Sequence, residues 1–268
     1  MKSPKEISLE KKLYSILSPE EKSGELIRLL CNDREVQEMQ DYANNVSIVR
    51  LGFNDHGPVH MRKVTLNAIR LFSLLHKAGV QSSLEHDNVG TYQDSLCAVI
   101  LASFLHDVGM AVGREDHELL SSTLAISVIN RILDSLYPDN LQKRVVLRSI
   151  ALEGIVGHMA NRRIHSIEAG IILIADGCDM EKGRARIPMT ISHEAKVGDI
   201  HKYSSNAIEK VEIKKGGEKP ISIHVSMSNE VGFFQVEEVL YPKIRMSPVK
   251  PYIELYAKVI GQDHKQYL

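Results

Sequence analysis

The chain has 268 residues, with 33 Lys and Arg against 34 Asp and Glu, so its formal net charge is −1. This balance argues against a dedicated, strongly basic nucleic-acid-binding domain and against a polyacidic tail. Hydrophobic residues make up 43% and charged residues 25%, as in an ordinary globular protein long enough for one large domain and a small addition.

Cysteine usage and apolar runs indicate the compartment. Cys31, Cys97 and Cys178 are far apart and odd in number, so they form no disulfide framework and favour a reducing compartment. The first six residues lack the apolar stretch of a signal peptide. The longest apolar run, 96–105, is about half as long as a membrane span. We therefore expect a soluble cytoplasmic protein without a membrane partner.

The first 200 residues have mostly helical patterns. Ser18 followed by Pro19 predicts the start of a first helix, and Asp33 predicts the cap of a second. Turn-forming residues fill 51–58, and a helical pattern runs from there to about residue 77. Four further helices are predicted. Asp94 caps the first, over 95–106, and His117 opens the second, which Pro138 stops. The third runs from Asn140 to about Gly157, and Ser166 caps the fourth, over 167–180.

The composition changes near residue 200. Segments 208–213 and 221–227 alternate apolar and polar residues, as half-buried strands do, and 252–259 predicts a third strand. A short helix is predicted over 233–246, although Pro242 weakens that pattern. The predicted fold is therefore mainly α, with a helical domain over 1–199 and a small α+β module over 200–268.

Six ionisable residues stand near predicted helix ends or on inward helix faces. Imidazole and carboxylate together suit Fe, Mn, Zn, Ni or Co ions, and one cation would satisfy several such buried groups at once. Neighbours on a helix point about 100° apart, so a polar pair that ends an apolar helix is better explained by an ion than by packing. The six residues are His60, His106, Asp107, His117, His158 and Asp176.

The pattern resembles the HD-domain superfamily of metal-dependent phosphohydrolases. Segment 57–60, Gly-Pro-Val-His, matches its first motif. Leu-His-Asp-Val-Gly over 105–109 matches the signature pair, and Ala-Asp-Gly-Cys-Asp over 175–179 matches the terminal aspartate motif. The resemblance covers roughly residues 50–185. It implies an orthogonal multi-helix HD-type core and hydrolysis of a phosphate ester by a metal-activated water.

The resemblance also implies a ligand set for two divalent transition-metal ions, with Mg²⁺ as an alternative. Asp107 would bridge the two ions. His60, His106 and Asp176 would complete one coordination sphere, and His117 and His158 the other. Many members carry a lysine shortly after the signature pair, where this chain has Met110. The Gly-Tyr-Pro signature of the cyclic-dinucleotide branch is also missing.

Other residues are candidates for contacts with the substrate. Arg114, Arg184 and Arg186 could bind phosphoryl oxygens, because a guanidinium binds phosphate through two parallel hydrogen bonds. Arg114 and Asp107 are the predicted catalytic residues. His56 is a ligand, a substrate contact or a loop residue, and Asp179 is either a carboxylate that orients a histidine or a surface residue.

The leading hypothesis is a phosphohydrolase acting on a nucleotide or a related small phosphate ester. One alternative is a regulatory module that binds a nucleotide or metal without turnover. Another is a nuclease for single-stranded ends, which the net charge of −1 disfavours. The C-terminal module is interpreted as a dimerisation element or a lid, and its strand edges predict a homodimer.

Overall fold

The computed structural model describes residues 2–182 and 200–268, and it is mainly helical with a small C-terminal sheet, as predicted. The helices of the first described range are α1 (Pro4–Ile16), α2 (Lys22–Asn32), α3 (Arg34–Asn45), α4 (Pro58–Lys77), α5 (Ser83–His86), α6 (Tyr92–Leu105), α7 (His117–Leu136), α8 (Leu141–Gly157) and α9 (Ile167–Gly177). Those of the second are α10 (Ile200–Ala207), α11 (Phe233–Gln235) and α12 (Tyr241–Met246).

Two predicted helix caps, Asp33 and Ser166, are confirmed, and Asn140, predicted only as the start of a helix, is also a cap. The side chains of Asp33, Asn140 and Ser166 each accept a hydrogen bond from a backbone N–H three residues further on. Such a bond satisfies one of the N–H groups that the first helical turn leaves without a partner.

Two predicted starts are wrong, and α1 was not predicted. Helix α6 begins at Tyr92 because Thr91 is its N-cap, and Asp94 supplies the reciprocal half of a capping box. Helix α2 begins after Glu21, because the Ser18 carbonyl instead accepts a hydrogen bond from the Glu21 N–H in a preceding turn.

Helix α6 is the centre of the helical core. It is buried on every side from Asp94 to Leu105, and α4, α8 and α9 pack around it. Segments Tyr92–Ala111 and His117–Leu136 pass a length-and-composition test for membrane spans, but 94% of the apolar window of the first lies buried inside the protein. A helix buried on every side is typical of the core of a globular protein. In the second segment, 39% of the apolar window is buried.

The sheet contains the three predicted strands and one short addition. Strands β1 (Ile208–Lys215), β2 (Ile221–Met227), β3 (Ile253–Val259) and β4 (Lys265–Gln266) are ordered β1-β2-β3-β4. The β1–β2 and β3–β4 pairs are antiparallel, whereas β2 and β3 are parallel. The inner face of the sheet packs on α4 and joins the same apolar cluster as the helices.

The parallel pairing of β2 with β3 requires a crossover connection. Here the crossover contains α11, a π-helical turn at Val236–Leu240, and α12. Pro242 lies in the first turn of α12, where its missing N–H costs little. The helical segment is therefore formed despite the proline.

Two glycines of α9 let this crossover approach closely. A Cβ on Gly170 would lie 2.6 Å from the Ser247 hydroxyl oxygen, and one on Gly177 would lie 3.1 Å from a methyl carbon of Leu240. Because both distances are shorter than ordinary contacts, a side chain at either position would force the neighbouring part of the crossover to shift. The crossover is thus seated directly on the helix that carries Asp176.

Candidate metal centre

The structure brings together all six residues that were predicted as ligands. They come from the first turns of α4 and α7, the ends of α8 and α9, and the turn that follows α6. Each is at most 8% exposed, so the cluster is inside the protein. The residues are His60, His106, Asp107, His117, His158 and Asp176.

The turn after α6 depends on Gly109. A 3-10 turn over Val108–Ala111 follows Asp107 and lies against the start of α7. A Cβ on Gly109 would lie 2.1 Å from the carbonyl oxygen of His117, and the Gly109 N–H donates to the Ser121 hydroxyl at 2.8 Å. Only glycine permits this approach, which brings the signature pair next to His117.

The backbone before α7 also has an unusual conformation. Asp116 has a φ of 51° and lies in the left-handed region, which few residues other than glycine adopt. This turn directs the chain into α7, so that His117 is its first residue and points to the cluster.

The carboxylate of Asp107 stands between two pairs of histidines. Its Oδ2 lies 3.2 Å from His60 Nε2 and 3.4 Å from His106 Nε2. Its Oδ1 lies 3.2 Å from His117 Nε2 and 3.3 Å from His158 Nε2. Each carboxylate oxygen therefore faces a separate pair of ring nitrogens.

Asp176 adds a second carboxylate to one of these pairs. Its Oδ1 lies 3.2 Å from His60 Nε2 and 3.8 Å from His106 Nε2. Within the pairs, the Nε2 atoms of His60 and His106 are 3.2 Å apart, and those of His117 and His158 are 3.1 Å apart. One half of the cluster thus has two imidazoles and two carboxylates, and the other has two imidazoles and Asp107.

In each of the four histidines of the cluster, the Nδ1 atom, which faces away from the centre, has an oxygen acceptor within hydrogen-bond distance. A proton on Nδ1 leaves the Nε2 lone pair of a neutral imidazole directed to the centre, which is how protein scaffolds orient metal-binding histidines. The acceptors are Asp179 Oδ2 for His60 at 2.7 Å, and the carbonyl oxygens of Ser103 for His106 at 2.9 Å, Arg114 for His117 at 2.9 Å and Ile155 for His158 at 2.6 Å.

This donor set fits a divalent metal ion. Two neutral Nε2 atoms at 3.1 Å have no proton to share when both Nδ1 atoms carry theirs, so the lone pairs repel unless a cation lies between them. Imidazole and carboxylate are the ligands that first-row transition metals prefer. Two overlapping triads, His60-His106-Asp176 and His106-Asp107-His158, each have their ligand atoms within 4.8 Å of one another. These buried groups could hold a metal.

Burial and neighbouring charges move the pKa values of three cluster residues, Asp107, His158 and His106, away from their ordinary values. Burial raises the pKa of Asp107, but the neighbouring imidazoles, His106 first, together more than offset this and hold the pKa well below its usual range. Burial lowers the pKa of His158 to about 4, so this imidazole is neutral at physiological pH. For His106, burial lowers the pKa, but the charge of Asp107 outweighs it and leaves the pKa above its ordinary value.

One residue at the cluster was not predicted from the sequence. Lys243 on α12 is only 8% exposed, and its ammonium donates to Asp176 Oδ2 and, at 2.9 Å, to the carbonyl oxygen of His158. Burial raises the pKa of Asp176, but the charge of Lys243 holds it well below the usual range. The sequence signal that could have identified Lys243 is its place beside Ile244, among apolar residues of the predicted helix over 233–246.

The remaining predicted contacts lie at the edge of the cluster or outside the described residues. Arg114 places Nη1 3.4 Å from His117 Nε2. The half-buried ring of His56 lies 5.9 Å from that of His60, centroid to centroid. Asp179 is buried and its carboxylate lies 2.7 Å from His60 Nδ1, so the prediction of a surface carboxylate is wrong and the position fits an orienting role. Arg184 and Arg186 lie outside the residues that the structure describes.

A comparison with known proteins gives the family. A protein of Methanocaldococcus jannaschii is 41% identical to this chain over 230 residues, which is 86% of each of the two proteins. This chain belongs to the same family. The archaeal relative is described only as uncharacterized. No protein-family model matches the chain, and no solved structure matches it significantly.

Proposed function

We propose that this chain is a metal-dependent phosphohydrolase of the HD type, acting on a nucleotide-like phosphate ester. The observation that carries the proposal is the position of Asp107, each of whose oxygens faces a pair of oriented Nε2 atoms at 3.2–3.4 Å. This arrangement suits two divalent ions that share one bridging carboxylate. A transition metal such as Mn, Fe, Zn, Ni or Co fits the nitrogen-rich donor set better than Mg²⁺.

The protein residues have distinct tasks in this proposal. His60, His106 and Asp176 would hold one ion, and His117 and His158 the other, with Asp107 shared. Metal ions bound there supply Lewis acidity toward a phosphoryl oxygen and lower the pKa of water. Because no serine or cysteine is needed as a nucleophile, the three cysteines, which are all buried, have no part in the chemistry.

Arg114 is the proposed contact for the phosphoryl group. Its guanidinium lies beside His117 and above the Phe53 ring, with 5.8 Å between the guanidinium carbon and the ring centroid. A fixed cation stabilises the negative charge that develops on phosphoryl oxygens in the transition state. Phe53 is 40% exposed, so an aromatic face is available beside the arginine for the base of a nucleotide. His56, in the same loop, is the second proposed substrate contact.

Metal analysis and a substrate screen test the proposal. The purified protein is expected to contain Mn, Fe, Zn, Ni or Co and to hydrolyse one class among nucleoside phosphates and cyclic phosphodiesters. Asp107→Ala should lose both bound metal and activity while keeping its helical circular dichroism spectrum. Asp139→Asn, an exposed carboxylate before α8, is the matched control. Activity that persists in Asp107→Ala would refute the assignment.

The same screen separates the alternatives. Metal binding without turnover of any phosphate ester would support a regulatory binding module, and cleavage of oligonucleotides alone would support a nuclease. The homodimer and the cytoplasmic location remain predictions. Among the residues that the structure describes, strand β1 pairs with β2 alone, which is consistent with pairing to a second chain, and a solution mass measurement decides the matter.

A further inference from the structure

The C-terminal module contributes a buried charge to the metal centre. Lys243 is 8% exposed and lies on α12, in the crossover between β2 and β3. Its ammonium makes two hydrogen bonds, one to the side chain of Asp176 and one to the main-chain carbonyl of His158. These two residues belong to opposite halves of the cluster.

The two oxygens of Asp176 have different neighbours. Oδ1 faces His60 Nε2 at 3.2 Å, whereas Oδ2 is occupied by Lys243. An unrestrained carboxylate can rotate and bind a metal through one oxygen or both. With Oδ2 held by the ammonium, only Oδ1 is directed toward the position that His60 and His106 share.

The position of Lys243 is itself fixed by close packing. A Cβ on Gly177 would lie 3.2 Å from the Lys243 side chain and 3.1 Å from Leu240. The residues on either side of the lysine in the folded crossover, Leu240 and Ile244, are fully buried. A long, flexible side chain is therefore confined along α9 and reaches Asp176 from one direction.

We propose that Lys243 is a positioning residue that holds Asp176 as a ligand through Oδ1 alone, so that the C-terminal module sets the metal affinity of the His60–His106–Asp176 half. This inference rests on the metal centre of the proposed function. Hydrogen-bond partners of metal ligands typically change metal affinity by about 10- to 100-fold when they are removed.

Charge and positioning have opposite effects on metal affinity, which makes the role testable. Removing a cation next to a cation site would, by electrostatics alone, strengthen metal binding. Removing the group that orients Asp176 would weaken it. A loss of affinity in a variant without the charge therefore cannot come from the charge.

The experiment titrates Mn²⁺ into the wild type and three variants of the full chain by calorimetry. Lys243→Met is expected to weaken one Mn²⁺ position at least about 10-fold and to leave the other unchanged. Lys243→Gln keeps a hydrogen-bond donor without the charge and is expected to restore most of that affinity. Lys250→Met, an exposed lysine seven residues further along the chain, is the control and should match the wild type.

The outcomes separate the two proposals. If Lys243→Met binds Mn²⁺ as tightly as the wild type or more tightly, the positioning role is wrong while the metal centre stands. If the wild type binds no Mn²⁺, Zn²⁺ or Fe²⁺ at all, the metal centre itself is wrong. If Lys243→Met is folded only with Mn²⁺ present, the dependence of its melting temperature on Mn²⁺ concentration gives the same affinity. A purely structural lysine would lower the melting temperature equally with and without metal.

Discussion

At the residue scale, the decisive feature is the hydrogen bond on the far side of each imidazole. A buried histidine with a structural role needs one hydrogen-bond partner, and either ring nitrogen can form that hydrogen bond. Here all four central histidines have Nδ1 within 2.6–2.9 Å of an oxygen acceptor. Because the same nitrogen is used each time, all four Nε2 atoms point to one place, and packing alone gives no reason for this.

The side chain of Arg114 is predicted to act on the substrate and not on the metal ions. If its guanidinium binds the phosphoryl group, Arg114→Ala should lower kcat/KM about 100-fold or more, because a fixed transition-state donor is lost. Its metal content should stay close to that of the wild type, since the backbone carbonyl of residue 114, which accepts the Nδ1 proton of His117, is kept in the variant.

Steady-state kinetics and metal analysis check this prediction, with Arg50→Ala as the control. Arg50 is an exposed arginine close to Phe53 in the sequence. Because surface substitutions usually have small effects, Arg50→Ala should keep kcat/KM within about twofold of the wild-type value. A variant of Arg114 that loses metal together with activity would show that the arginine acts on the centre and not on the substrate.

At the element scale, the helix ends determine the site. The ligands lie at the beginnings and ends of five helices, where the backbone changes direction and side chains from different helices can meet. Two short features fix helix α6, which leads into His106 and Asp107. One is the glycine-dependent turn after α6, and the other is the capping box at its start.

Gly109→Ala should damage the centre through the backbone. A Cβ there would meet the His117 carbonyl oxygen at 2.1 Å, so α7 must shift and carry His117 with it. We expect a loss of about 1–3 kcal/mol in the free energy of unfolding, as for other overpacked sites, and weaker metal binding. Urea unfolding and Mn²⁺ titration measure the two effects.

Gly113→Ala is the control for this experiment. A Cβ on Gly113 would have no atom within 4 Å, and its φ is not positive, so stability and metal binding should stay at wild-type values. Equal effects of the two substitutions would mean that chain flexibility, and not the close approach to α7, explains the result.

The capping box of α6 predicts a pH-dependent stability. Burial raises the pKa of Asp94, but hydrogen bonds from Thr91 and the charge of Lys143 leave it below the usual value. A carboxyl whose pKa is lowered on folding stabilises the protein above its unfolded pKa of about 3.9 and loses this effect as the pH falls through the folded value.

Asp94→Asn should therefore lower the free energy of unfolding at neutral pH by about 1–3 kcal/mol, the value of a hydrogen-bonded charge. The difference from the wild type should shrink as the pH falls below about 4. Urea unfolding across this pH range measures this difference. Asp139→Asn, which changes an exposed carboxylate, is the control. A difference that stays constant with pH would exclude the carboxylate charge as its cause.

At the scale of the whole molecule, the cluster joins parts of the chain that are far apart. Asp107 and Asp176 are separated by 69 positions in the sequence, and Lys243 comes from the C-terminal module, yet all three meet in one buried site. A ligand that binds only this folded arrangement stabilises the entire protein.

Removal of metal should accordingly lower the melting temperature. At a metal concentration of about 100 times Kd, the stabilisation is about 2.7 kcal/mol, which corresponds to roughly 5–10 °C for a chain of this size. Thermal unfolding with and without EDTA followed by added Mn²⁺ measures the shift, and Asp107→Ala should show none. An identical melting temperature in both conditions would contradict a metal site that links the helices.

The sequence by itself determined which six residues form the buried cluster, because ionisable side chains next to apolar helix faces need a partner wherever the helices go. It also determined the mainly helical class and the three main strands, since periodicities of 3.6 and 2 are local properties. Its errors at the starts of α2 and α6 were local too. At α6 two capping residues, Thr91 and Asp94, stand at one helix end, and at α2 a turn separates Ser18 from the helix.

Only the tertiary structure decided how these residues are arranged. The division of the histidines around the two oxygens of Asp107 was expected from the family resemblance, but it depends on helix packing, and no spacing in the sequence encodes it. The same holds for Lys243, which reaches Asp176 because β2 and β3 pair in parallel and because Gly170 and Gly177 admit the crossover. Contacts between residues that are distant in the sequence follow from how faces fit together, which local patterns do not specify.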